Sequence, residues 1–203
     1  MVHEMDFKAI LPELILASQS PARRELLESL GCKVHVVPTN ADEYHGGTVG
    51  LAVVKELAER KMSHFLSIHR TPPLPVLTAD TLICCEGMLV GKAADEVQAC
   101  AQIRMLSGRS HRVCSGFALY LPSLHRDGTF LSGSDEAIVT FAALTDEEIS
   151  DYVSHSDWRG AAGSYRIQGE AKRFIEGITG DFATVVGLPI QAISAILSSP
   201  GSL

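Results

Sequence analysis

The chain has 203 residues, 46% apolar and 20% charged, which excludes a disordered polyelectrolyte and a coiled coil. Seventeen Lys and Arg against 24 Asp and Glu leave a net charge of −7. That balance argues against broad binding to nucleic-acid polymers or anionic membranes, and any small anion must be met by a local basic pocket.

No apolar run reaches the roughly 20 residues of a membrane span, and the segment from Met1 to Lys8 lacks a secretory pattern. The five cysteines include no CxxC, which argues against a disulfide framework or a zinc ribbon. Reduced thiols and a cytoplasmic location are expected. His64 and His69 lie five apart, a spacing unsuited to two ligands on one helix face.

In chain order, Leu14–Ala17 reads as a short buried strand. Pro21–Leu30 reads as a helix with Leu26, Leu27 and Leu30 on one face, closed by Gly31. A strand is predicted over Lys33–Val37 and a long helix over Thr48–Leu66, its apolar stripe formed by Leu51, Val54, Leu57, Ala58 and Met62. Val76–Cys85 and Met88–Val90 read as a hairpin turning at Glu86–Gly87. That register would pair Thr81 with Lys92 and Asp80 with Ala93.

A helix capped by Asp95 is predicted to run to Leu106. Two long strands follow, Arg112–Leu121 and Phe130–Ala142, and then a helix over Thr145–His155 with Thr145 and Glu148 as a capping box. Gly160, Gly163 and Gly169 punctuate the next segment. Phe182–Val186 is predicted as a strand and Pro189–Leu197 as a terminal helix. Alternating helices and strands with an inserted strand pair predict an α/β fold with a mixed β-sheet flanked by helices.

Four local patterns carry chemistry. Ser18–Gln19–Ser20–Pro21–Ala22–Arg23–Arg24 follows a strand and opens a helix, whose N-terminal N–H groups favour an anion; Ser18 adds a hydroxyl, and Arg23 could grip phosphate oxygens in a fork. Asp80, within Thr78–Ala79–Asp80–Thr81, interrupts an apolar strand, and a carboxylate there demands a cationic partner or a metal. Asp42 and Glu43 follow a strand end and could join Asp80 around Mg²⁺ or Mn²⁺. In Gly163–Ser164–Tyr165–Arg166–Ile167–Gln168–Gly169, Tyr165 could stack on a base and Gln168 read a base edge through its amide.

These patterns, in this order, resemble the Maf family of nucleoside triphosphate pyrophosphatases. The matching stretches are LILASQSPARRELLESLG from Leu14, NADE from Asn40, LTADTLI from Leu77, GKAAD from Gly91, MLSGRSHRV from Met105, AAGSYRIQG from Ala161 and VVGLP from Val185. The resemblance implies one elongated domain over residues 1–203, similar to inosine-triphosphate pyrophosphatases, with two lobes sharing a sheet around a cleft. It implies hydrolysis of a nucleoside triphosphate to the monophosphate and pyrophosphate, with Asp80 catalytic. Ser18, Arg23, Glu43, Lys61 and Lys92 match the family's phosphate and metal positions. A divalent cation and a homodimer are implied as well.

Thr81 and Gln168 look like the branch that takes dTTP and UTP. Ala22 stands where that branch carries arginine, and favours as an alternative a 7-methyl-GTP or broad-specificity pyrophosphatase. Ala161 stands where a lysine is common, and favours a nucleotide-binding regulator of cell division.

Overall fold

The computed structural model describes residues 7–41, 50–124 and 128–198. Its elements are α1 (Phe7–Ile10), β1 (Glu13–Leu16), α2 (Pro21–Ser29), β2 (Lys33–Val36), α3 (Leu51–Ile68), β3 (Val76–Cys85), β4 (Met88–Val90) and α4 (Glu96–Leu106). They continue with β5 (Ser110–Tyr120), β6 (Leu131–Phe141), α5 (Asp146–Ser154), a 3₁₀ turn (Glu170–Phe174), β7 (Ile175–Thr179), α6 (Phe182–Val186) and α7 (Ile190–Ser198). Among the described residues no helix is long and apolar enough to cross a membrane.

Among the described residues, seven strands form one mixed sheet in the order β2-β1-β3-β5-β6-β7, with β4 paired to β3 off that path. The β1 pairings are parallel and the rest antiparallel, which is the mixed α/β class expected. Helix α3 packs on the sheet through Val54, Leu57, Ala58, Met62 and Phe65, all buried. A second apolar cluster brings Leu14, Leu16 and Leu27 together with Phe117, Leu188 and Ile193, so α2 and α7 share a core layer. A third holds Trp158, Tyr152 and Phe141 beside α4 and α5. Each fully buried large side chain contributes on the order of 1.5–3 kcal/mol.

Local signals act as the sequence indicates in several places. Ser20 caps α2 by accepting from the Arg23 backbone N–H, and Pro21 opens the helix. Thr145 and Glu148 form the reciprocal capping box of α5. The β3–β4 hairpin turns at Glu86–Gly87, both with positive φ, the backbone hand that two-residue hairpin turns need.

One predicted element changes type. Phe182–Val186 is a helix, not a strand: Asp181 accepts from the Ala183 N–H at one end and Gly187 adopts the left-handed conformation at the other. Caps at both ends override the β preference of Val185 and Val186. The sequence gives no signal for the strand Ile175–Thr179, where Glu176 and Gly177 break the apolar alternation, and the 3₁₀ turn and α1 are further additions.

The hairpin register is as expected, Cys85 opposite Met88 and Ile83 opposite Val90, but the ladder stops there. Lys92 instead bridges to Ala162, and Asp80 faces Gly116 on the opposite edge, so the Thr81–Lys92 and Asp80–Ala93 pairs do not form.

Candidate active site

The early end of that ladder creates the site. β5 lines one edge of β3 from Val76 to Cys84. On the other edge, β1 reaches only Val76 and Leu77, and β4 only Ile83 to Cys85. From Thr78 to Leu82 that edge carries no strand among the described residues. A cleft of about 660 Å³ lies along it, between the N-terminus of α2 and the Lys92–Ala162 bridge. Side chains from both faces of β3 therefore reach one cavity.

Asp80 projects toward α3. Its Oδ1 accepts a 2.7 Å hydrogen bond from Lys61 Nζ, and both side chains are nearly buried. The helix lies this close because Gly116, the register partner of Asp80, has no side chain. A Cβ there would come within 2.2 Å of the Val54 carbonyl oxygen. Lys61 is seven residues, two turns, beyond Val54, so the same face carries it onto Asp80. Thr78 Oγ1 donates to the Ala58 carbonyl at 2.7 Å and fixes the helix along its axis.

Arg23 reaches the opposite face of β3 and is buried. Its Nε donates to the Gly187 carbonyl, Nη1 to Ser18 Oγ and to the Ala79 carbonyl, and Nη2 to Thr81 Oγ1, at 2.8 to 3.0 Å. The Ala79 carbonyl is one that the missing strand would otherwise satisfy. The expected phosphate fork is thus largely committed to protein acceptors, and Arg23 acts as a staple joining α2, β3 and the turn after α6.

Ser18, Ala22, Lys92, Thr81 and Gln168 all line the cleft, as do Lys61 and Asp80. Gln168 is exposed on its rim, and among the described residues no hydrogen bond ties down its amide. Ala22 and Ala161 are small, half-buried wall residues. Glu43, with Asp42, lies outside the described residues. Among the described residues, four basic side chains (Arg23, Lys61, Lys92 and Arg166) line the cleft, with Asp80 as the acid. This is the local basic pocket that a chain of net charge −7 requires to take an anion.

Tyr165 lines the cleft with only a small part of its surface. It is buried, its hydroxyl meets His111 Nε2 at 2.8 Å, and its ring packs edge-on against His111 and Phe141. Its role is to wedge the glycine loop onto the core. The backbone N–H of Gly163 holds that loop to the Gly91 carbonyl, and Ser164 Oγ donates to Gln102 Oε1. Residues missed from the sequence are Ser115, Thr184 and Gly187, which hold Arg23 and Thr81 from behind. Polar Ser115 within an apolar strand was the available signal.

Burial pushes the His111 imidazole down to about 4, and its Nδ1 has no partner among the described residues. The unfolded chain takes up a proton near pH 6.5, where the folded chain does not. His111 therefore costs no stability above pH 6.5 and an increasing amount as pH falls toward 4. The expected loss across that window is about 3 kcal/mol. Melting temperatures between pH 7.5 and 4.5 measure it, and His111→Gln, which can still meet the Tyr165 hydroxyl, should flatten the profile. An identical acid slope in that variant would assign the loss to other groups.

An α/β protein with an acid–lysine pair, a capped helix N-terminus and a basic lining in one cleft is built to bind a small polyanion. A family model described as Maf-like protein matches residues 13–199. A dTTP/UTP pyrophosphatase from Thermococcus gammatolerans is 39% identical over 180 residues, spanning 89% of this chain and 92% of that protein. Another, from Zymomonas mobilis, is 37% identical over 190 residues, spanning 93% and 91%. A solved HAM1 protein from Coxiella burnetii aligns with a TM-score of 0.47 and 18% identity over 93% of this chain and 99% of that one. The chain belongs to the Maf family.

Proposed function

We propose that this protein hydrolyses dTTP and UTP to the nucleoside monophosphate and pyrophosphate. The observation that carries the reading is the cleft on the open edge of β3, where Asp80 on Lys61, the α2 N-terminus and Lys92 meet the free amide of Gln168. The relatives named dTTP/UTP pyrophosphatase, at 37–39% identity over about nine-tenths of the chain, support it.

The residues divide the work by chemistry. Ser18, the α2 N-terminus, Lys61 and Lys92 supply donors and positive charge to a triphosphate. Asp80, an acceptor held by Lys61, orients the attacking water and receives its proton. Gln168 offers a donor and an acceptor side by side, matching the imide edge of uracil or thymine.

Among the described residues no cluster of three His, Cys, Asp or Glu stands ready for a metal. A Mg²⁺ or Mn²⁺ site of one or two carboxylates completed by substrate phosphates needs no such cluster, and Asp80, with Glu43 by family resemblance, fits it. When bound, the cation supplies charge neutralisation to the phosphates. The irregular spacing of the five cysteines offers no disulfide framework, which supports a reducing, cytoplasmic setting.

A panel of dTTP, UTP, CTP, GTP and 7-methyl-GTP with Mg²⁺ or Mn²⁺, read by pyrophosphate release, tests the reading. Turnover is expected to favour dTTP and UTP, and Gln168→Glu to lower it by about tenfold, since a carboxylate removes the donor that a base carbonyl needs. A clear preference for 7-methyl-GTP would instead support the reading from Ala22. Tight nucleotide binding with no pyrophosphate would support a regulator.

A further inference from the structure

We propose that Ser115 is a positioning residue that fixes the Thr81 hydroxyl as a hydrogen-bond acceptor toward the cleft, and so selects substrates that present a donor there. The inference rests on the pyrophosphatase reading and deepens it. It follows from counting protons along one chain of hydrogen bonds.

Ser115 and Thr81 are register partners on β5 and β3, on the sheet face that α2 and α6 cover. Ser115 Oγ lies 2.8 Å from the Thr184 carbonyl oxygen. A carbonyl can only accept, so the single Ser115 proton goes there. Thr81 Oγ1 lies 2.9 Å from Ser115 Oγ, and with the serine proton spent, threonine must donate. Arg23 Nη2, which can only donate, meets Thr81 Oγ1 at 3.0 Å. Every proton is assigned: Arg23 to Thr81, Thr81 to Ser115, Ser115 to Thr184. The chain is closed from behind by Gly187, where a Cβ would come within 2.9 Å of Thr81 Oγ1.

Thr81 is half-buried and lines the cleft. With its proton turned inward, it can present only a lone pair. Phosphate oxygens are acceptors and are repelled by it, and the adjacent guanidinium disfavours a metal ion at the same oxygen. What remains is the donor-bearing part of a nucleotide, the N–H of a base or a sugar hydroxyl. Uracil and thymine carry a donor at ring nitrogen 3, where cytosine carries an acceptor. A free hydroxyl would rotate to suit either; this one does not.

The test measures kcat/KM for UTP and CTP, and Kd for their uncleavable α,β-methylene analogues, in the wild type, Ser115→Ala, Ser115→Thr and Thr81→Val. Comparison of UTP with 2′-deoxy-UTP and 3′-deoxy-UTP separates a base donor from a sugar donor. In Ser115→Ala, discrimination on one of these arms is expected to fall by about tenfold. Ser115→Thr should restore it, since it keeps a hydroxyl at the same place. Thr81→Val, which keeps the shape and removes the lone pair, should lose the same discrimination and serves if Ser115→Ala does not fold.

Equal losses on every nucleotide in folded variants, or unchanged ratios, overturn the proposal. A wild type that binds and cleaves nucleotides without these preferences does so as well, and leaves the pyrophosphatase reading standing. A wild type that neither binds nor cleaves UTP removes both.

Discussion

Replacing Asp80 by asparagine is expected to lower pyrophosphate release by about 10³-fold with little change in melting temperature. The amide keeps an oxygen where Oδ1 now accepts from Lys61 at 2.7 Å, so the tie between β3 and α3 survives. What disappears is the negative charge and the capacity to take a proton from water. Those two properties separate a catalytic role from a structural one. An ion pair that merely held α3 to the sheet would show the opposite pattern, with stability lost and turnover retained per folded molecule. Pyrophosphate release at saturating UTP, set beside a thermal melt, distinguishes the two. Undiminished turnover in a folded Asp80→Asn protein removes Asp80 from the chemistry.

The elements that were legible in the sequence are those whose signals are local. The Thr145–Glu148 box, the Ser20–Pro21 start and the Glu86–Gly87 turn each lie within four residues and depend on no distant partner. Lys61 was legible too, in principle. It stands on the apolar stripe of α3 between Ala58 and Met62, where a lysine needs a buried reason. The contacts that the sequence does not show have a common physics. Arg23 looked like a phosphate ligand because its nearest neighbours in sequence are a helix cap and a serine. Its acceptors include the backbone carbonyls of Ala79 and Gly187, 56 and 164 residues away, and a carbonyl is present at every position and leaves no mark in a sequence. The partner of the Tyr165 hydroxyl, His111, likewise comes from a strand 54 residues earlier. The open edge of β3 was illegible for a related reason. The hairpin register predicts which residues would pair, but not where pairing stops, and the stop is set by Lys92 crossing to Ala162.

Gly116→Ala is expected to be the most damaging single-methyl change in the sheet, and to damage stability and activity together. The added Cβ would sit 2.2 Å from the Val54 carbonyl oxygen, 2.3 Å from its carbon and 2.5 Å from the Lys55 nitrogen. These are backbone atoms of a helix, so no rotamer change relieves the contact; α3 must lift off β5 or β5 must bend. Overpacking of this kind costs about 3 kcal/mol or more, a fall of roughly 6–12 °C in melting temperature for a chain of this size. The displaced segment carries Lys61, whose bond to Asp80 depends on the helix lying flat against Gly116. Turnover per folded molecule should therefore fall as well. Gly177→Ala is the control, since a Cβ there meets nothing within 4 Å. It should leave both quantities near wild type. If Gly116→Ala melts and turns over like that control, close approach of α3 is not what places Lys61 on Asp80. A loss of stability with full turnover would show instead that the Lys61–Asp80 pair re-forms after the helix shifts, and that the cleft tolerates more movement on its α3 side than its packing suggests.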